Sequence, residues 1–183
     1  MGDKANTRET HAREADGLIT YAQTMARYNR WMNERLYAIC ATLTDEERKS
    51  DAGAFFHSIH GTLNHILLAD RSWMARFAGG SVVYTSLDQE LYADFSELQR
   101  EREQDDNRIT MWATALSVDT VMRPLSFRGI TSPEVRTYPF WLVVTHFFNH
   151  QTHHRGQVTA LLSQRGIDPG VTDLLRLPGL LDG

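Results

Sequence analysis

The stretch FWLVVTHFFNHQTHHRGQVTALLSQ, residues 140–164, reads as one long helix. Pro139 is favourable at its start and Gly166 just past its end. Val143, Phe147, Val158 and Leu161 share a face with His146, His150 and His154. These histidines are spaced i, i+4, i+8, so neighbours on that face are separated by about 6 Å of helix rise. An unpaired imidazole among apolar groups costs desolvation energy, so this face asks for an explanation. Two histidines four apart can share one metal ion, as in the H-x-x-x-H part of helical zinc-protease motifs. The glutamate of H-E-x-x-H is missing, because Gln151 follows His150. Solvated or hydrogen-bonded imidazoles are the other reading of the same spacing.

Three more helices precede this one. Leu18, Ala22, Met25, Met32, Leu36, Ile39 and Leu43 recur in helical steps, which predicts an amphipathic helix over 18–43. In the polar connection over 44–53, Thr44 and Glu47 fit a capping box. A second helix is expected over 54–78, with Phe56, Ile59, Leu63, Ile66, Leu67, Met74 and Phe77 on one face and Gly79-Gly80 at its end. A third fits 87–117, with Ser86 and Gln89 at its N-cap and N3 positions. Its stripe is Leu91, Phe95, Leu98, Arg102, Asp105, Ile109, Trp112 and Leu116. Arg102 and Asp105 interrupt that seam and read either as a kinked or exposed turn or as a polar pair facing a cavity.

Residues 118–138 lose the helical period and read as two short strands around a Gly/Ser/Pro turn. Residues 1–17 form a polar N-terminal extension, and the tail, 167–183, has room for a short helical turn. The pattern predicts an all-α fold, a four-helix bundle with a small β-hairpin between the third and fourth helices, as a single domain over 1–183.

Composition narrows the function. The chain of 183 residues carries 19 basic and 23 acidic side chains, for a net charge of -4 and no Lys/Arg run, so no nucleic-acid partner is expected. No apolar run approaches the roughly 20 residues needed to cross a bilayer, so no membrane partner is expected. The N-terminus lacks the apolar core of a signal peptide, and Asn6 stands where a myristoylation motif needs Ser or Thr, which points to a cytoplasmic location. The single cysteine, Cys40, excludes an internal disulfide and a cysteine zinc site. It lies on the apolar seam of the first helix, where a packing role is expected.

A third ligand is best sought on the second helix, which carries His57, His60 and His65. His65 lies beside Ser58, Gly61, Thr62, Ala69 and Ser72, a stripe of small side chains. That stripe leaves either a pocket around a ligand or room for close helix packing with His65 at its edge. His57 and His60 point elsewhere and are expected to be solvated; His11 is given no role. Three imidazoles without a fourth protein ligand make a catalytic type of site, open to water or substrate, and imidazole suits Zn, Ni, Fe or Cu.

The segments HGTLNHILLADRSWMARF (60–77), THFFNHQTHHRGQ (145–157) and YNRWMNERL (28–36) resemble the DinB family, also described as DinB/YfiT-like metalloenzymes. The resemblance covers about residues 20 to 165, and H-x-x-x-H-R-G-Q is its most specific piece. It implies an up-down-down-up four-helix bundle, frequently homodimeric, with a metal triad that falls on His65, His150 and His154. His146 and His153 are not ligands in that pattern. Gln157 and Asn149 flank the site, where either orients a ligand or Gln157 satisfies neighbouring polar groups. Arg155 and Asp70 either pair between the second and fourth helices or leave one partner in solvent.

The family's branches include thiol-dependent S-transferases, a mycothiol-dependent maleylpyruvate isomerase, and proteins named as DNA damage-inducible. The resemblance therefore implies a metal-dependent enzyme acting on a small-molecule substrate, with a divalent metal (Zn, Ni or Fe) and a low-molecular-weight thiol as cosubstrate. Metal-dependent hydrolysis and a non-catalytic, metal-binding stress-response role are the alternatives.

Overall fold

The computed structural model describes residues 2–130 and 134–180, with backbone alone for 2–9 and 11, so the His11 side chain and the end of the tail lie outside the described residues. Four long helices dominate: α1 (Gly2–Cys40), α3 (Ile59–Phe77), α4 (Phe95–Thr114) and α6 (Phe140–Gln164). Between them lie α2 (Asp45–Lys49), α5 (Val118–Val121) and a hairpin of β1 (Leu125–Arg128) and β2 (Val135–Tyr138), followed by a 3₁₀ turn at Leu174–Arg176.

Several expected features are present. α6 has the predicted bounds, and Pro139 occupies its N-cap position. The Thr44–Glu47 capping box closes in both directions. The strands pair antiparallel, Leu125 with Tyr138 and Arg128 with Val135. Others need correction. α1 starts at Gly2, so the polar extension continues the helix. α3 starts at Ile59, capped by Ser58, because residues 51–58 fold into a tight turn with His57 in the left-handed region at φ 64°. Phe56 therefore precedes the helix instead of lying on its face. α4 starts at Phe95 with Asp94 as N-cap, and Ser86 instead bonds the Asp88 carboxylate.

The late start of α4 follows from topology. Cross-helix contacts pair Asn33 with Asp106 and Gln23 with Ala113, so α1 and α4 run antiparallel. Asp70 meets Arg102 and Phe77 meets Trp112, so α3 and α4 run parallel. His65 faces His154 and Phe77 faces Phe140, so α3 and α6 run antiparallel. The order is up-down-down-up. After α3 the chain must climb back about 28 Å, the length of that helix, before α4 begins. Residues 78–94 make this return as an irregular strap along α3. The strap is pinned by Asn64, whose side chain accepts from the backbone N–H of Leu91 and Tyr92 and donates to the Tyr92 carbonyl.

The core has two large apolar halves, with a smaller cluster of Tyr28, Met32 and Leu177 besides. Leu36, Ile59, Leu63, Leu98, Val158 and Leu162 fill one, and Trp73, Ile109, Phe140, Phe147 and Phe148 lie in the other. A buried polar layer separates them. Arg102 reaches Asp70 at 2.6 Å and Asp106 at 3.1 Å, Asn29 and Asn33 donate to Asp106, and Gln151 donates to Asp70. Arg155 donates to Asn29, so Asp70 and Arg155 neither pair directly nor leave a partner in solvent; both are buried. Arg102 is thus neither exposed nor facing a cavity; it is 1% exposed and joined to carboxylates on two helices. Asp105 is buried on another side of α4, where it binds Arg71 and Arg108.

Candidate metal centre

His65 from α3 and His150 and His154 from α6 meet on the outer side of the polar layer. Their ring nitrogens lie within 4.8 Å of one another. His150 Nε2 is 3.3 Å from His65 Nε2 and 3.1 Å from His154 Nε2. Antiparallel packing of α3 against α6 brings the three together, and the i, i+4 spacing stacks the two α6 histidines on one face.

The outer nitrogens fix the tautomers. His65 Nδ1 lies 2.8 Å from the Leu87 carbonyl, which can only accept, so Nδ1 carries the proton and Nε2 presents its lone pair. His154 Nδ1 lies 2.8 Å from Gln157 Oε1, with the same consequence. His150 can donate an Nε2 proton to one neighbour at most. The other contact then sets lone pair against lone pair. Protonation does not relieve it, because burial pushes His65 down to about 4 and His150 down to about 3, and lowers His154 as well. Charge on the neighbouring histidines adds to the shift at His150. Converging lone pairs on neutral imidazoles are the donor set of a divalent transition metal. Nitrogens about 2.0–2.1 Å from a tetrahedral zinc ion stand roughly 3.3 Å apart, so the spacing fits.

The surroundings restrict access. Phe56 stacks on His65, with ring centroids 3.7 Å apart and planes inclined by 17°. His65 and His154 are buried, and His150 is half-buried. A cavity of about 380 Å³ opens onto the three imidazoles and is also lined by Ser72, Trp73, Arg76, Leu87, Ile130 and His146. No carboxylate lines it among the described residues. Arg76 lies over the Trp73 ring at 4.5 Å and the Phe127 ring at 5.0 Å, so the hairpin forms part of the wall.

The other histidines divide. His146 is one turn before His150, with ring centroids 6.1 Å apart, and lines the cavity outside the trio. His153 is exposed and contacts Gln157. His57 is exposed, as expected. His60 is buried, contrary to expectation, because its Nε2 contacts the Tyr92 carbonyl of the strap at 2.9 Å. Asn149 is exposed, whereas Gln157 holds His154. Sequence reading missed Leu87, Trp73, Arg76 and the stacking role of Phe56. For Trp73 and Arg76 a signal existed: they follow His65 by eight and eleven residues, on the same side of α3.

The DinB family model matches residues 1–180. The chain belongs to the DinB family. It is 26% identical to Protein DinB of Bacillus subtilis (strain 168) over 160 residues, covering 85% of this chain and 92% of that protein. Among solved structures, YfiT from Bacillus subtilis superposes with a TM-score of 0.61 at 13% identity, covering 80% of this chain and 89% of that one. A DinB-like protein from Bacillus cereus gives a TM-score of 0.53 at 22% identity, covering 76% and 90%. These likenesses agree with the four-helix bundle fold. No helix among the described residues is long and apolar enough to cross a membrane.

Proposed function

We propose that this DinB-family chain is a metal-dependent enzyme that holds one divalent transition metal (Zn, Ni or Fe) on His65, His150 and His154. We infer that it joins a low-molecular-weight thiol to an electrophilic small molecule. The observation that carries this reading is the convergence of three lone pairs on a cavity whose described lining has no carboxylate. A divalent metal there supplies a Lewis acid that lowers the pKa of a bound thiol or water. A thiol, with a pKa near 8.5, needs little help to ionise and no general base, whereas water needs much more. The thiolate sulfur would bond to the electrophilic carbon while the leaving group departs with its electron pair, the thiol proton having passed to solvent. The protein's own groups set the stage. Leu87 and Gln157 hold the imidazoles in one tautomer, and Phe56 and Trp73 keep water from part of the site. Cys40 is buried among apolar side chains of the core and does not line the cavity, so the thiol must come from outside the chain.

A hydrolytic reading has one observation of its own. His146 lines the same cavity one turn from His150, and burial with the nearby Arg76 charge lowers its pKa, leaving it a neutral base. YfiT is described as a probable metal-dependent hydrolase. Elemental analysis of untagged protein, followed by turnover of 1-chloro-2,4-dinitrobenzene with and without a panel of small thiols, separates the readings. The expected result is about one metal per chain and turnover that needs both metal and thiol and is lost in His150→Ala. Metal-dependent product formation without thiol favours hydrolysis. Absence of both metal and turnover overturns both.

A further inference from the structure

Arg76 is the one permanent cation among the described residues lining the histidine cavity, and it has no counter-charge there. It is only 8% exposed. No acidic side chain among the described residues forms an ion pair with it, although Arg71 and Arg102 each bind two carboxylates. Its Nε is buried without a hydrogen-bond partner, and its hydrogen bond among the described residues is a long one, 3.5 Å from Nη2 to the Arg128 carbonyl. Stacking against Trp73 and Phe127 fixes the plane of the guanidinium but satisfies none of its N–H groups. A buried charge without a partner is costly, so an arrangement that keeps one rigid and under-bonded is set up to receive an anion.

We propose that Arg76 is a specificity-determining residue that binds a carboxylate on a substrate whose reacting end lies at the histidine trio. The proposal rests on the enzymatic reading above. The cavity wall around Arg76 is apolar, with Trp73 and Ile130, so the guanidinium is the side chain there that an anionic group meets. A guanidinium fork also matches a carboxylate in two parallel hydrogen bonds. The geometry sets the substrate's length. Arg76 follows His65 by eleven residues, about 16 Å of helix rise, and long helical side chains lean back toward the N-terminus, here toward His65. Between the two ends lie Ala69, Ser72 and Trp73, which offer a small, mainly apolar channel. The substrate class is therefore a compact carboxylic acid with an apolar or aromatic body and its electrophilic or scissile group remote from the carboxylate.

The test is calorimetric binding of 4-phenylbutyrate and its neutral primary amide to the full chain. Wild-type protein is expected to bind the acid at least tenfold more tightly than the amide. Arg76→Gln should lower acid affinity at least tenfold and leave amide affinity within twofold, and Arg76→Lys should fall between. His150→Ala should keep the preference for the acid, which makes this test independent of whether the metal reading stands. Protection of Arg76 from phenylglyoxal in wild-type protein, read by peptide mass spectrometry, covers the case in which an Arg76 variant fails to fold. The acid should slow that modification at least threefold and the amide should not. Equal binding of acid and amide, no binding of the acid at 10 mM, or a preference that survives Arg76→Gln and vanishes in His150→Ala overturns the proposal.

Discussion

Gln151 donates its side-chain N–H to Asp70 at 2.8 Å, one position along the chain from His150. The residue that points into the polar layer and the residue that points into the site are therefore consecutive on α6. Asp70 also receives Arg102 at 2.6 Å. Removing Asp70 leaves a buried guanidinium with one carboxylate, Asp106, where it had two. Breaking a buried pair from one side costs about 3–5 kcal/mol. Asp70→Asn should lower the unfolding free energy by about 3 kcal/mol in urea titration, and the register of His150 should loosen with it. A loss below about 1 kcal/mol would mean that Asp106 alone compensates Arg102.

Gln157 acts more locally. Its Oε1 accepts from His154 Nδ1, and its amide nitrogen contacts the exposed His153. Loss of a partner that orients a metal-ligating histidine weakens metal affinity about 10–100-fold. Gln157→Ala should raise the metal dissociation constant at least tenfold in competition with a chelator, while the urea midpoint of the metal-free protein stays unchanged. Unchanged metal affinity would count against His154 as a ligand.

The fourth helix could be read to its ends because it carries its own punctuation, Pro139 and Gly166, and a strong apolar period. The His150–His154 pair was legible because i, i+4 spacing is a local property, whereas the residues alone left His65 open and only the family resemblance joined it to them. The strap was not legible, since it exists to satisfy a parallel α3–α4 arrangement that no local window encodes. Leu91 and Phe95 look like one helical stripe, yet Leu91 belongs to the strap and Phe95 to the helix. His60 was misjudged for the same reason: its partner is the Tyr92 carbonyl, a backbone atom with no signature in the sequence. Arg102 stood out on an apolar seam, but its acceptors lie on α3 and on its own next turn, and only packing brings Asp70 to it.

Gly61 is an element of the small-residue stripe whose purpose is steric. A Cβ there would lie 2.2 Å from the Phe56 carbonyl oxygen, a backbone atom of the tight turn before α3. Gly61→Ala must push that turn off the helix and carry the Phe56 ring away from His65. The expected result is a loss of at least 2 kcal/mol in stability, within the range set by overpacking, together with weaker metal binding. Gly156→Ala is the control, since nothing lies within 4 Å of a Cβ at that position.

Cys40 provides a check on the source of any thiol. It is fully buried, and burial pushes its thiol up to about 12, against a smaller opposing pull from Arg48. Little thiolate is present at neutral pH, and access is blocked. Native protein should not react with 5,5′-dithiobis(2-nitrobenzoate) at pH 8 over an hour, whereas protein in urea should release one equivalent. Cys40→Ala should leave thiol-dependent turnover in place. Rapid native labelling would show that α1 opens and would bring Cys40 back as a candidate nucleophile.

Acid should undo the site in a defined window. In the folded, metal-free protein burial depresses His65 to about 4 and His150 to about 3, while in the unfolded chain both titrate near the ordinary 6.5. As pH falls below 6.5 the unfolded chain takes up protons that the native state refuses, so stability falls toward pH 4 and is level above 6.5. Asp70 works in the opposite direction, because burial raises it to about 6 and the native state then binds its proton first. The two contributions separate by comparison with His65→Gln, since Asp70 is common to both proteins. Between pH 7 and pH 5 the urea midpoint of wild type should fall further than that of the variant. Bound metal should hold the wild-type midpoint until its ligands are protonated, so the metal-loaded protein should lose both metal and stability at lower pH than the apoprotein loses stability. Parallel curves for wild type and His65→Gln would mean that His65 is not held neutral by the fold.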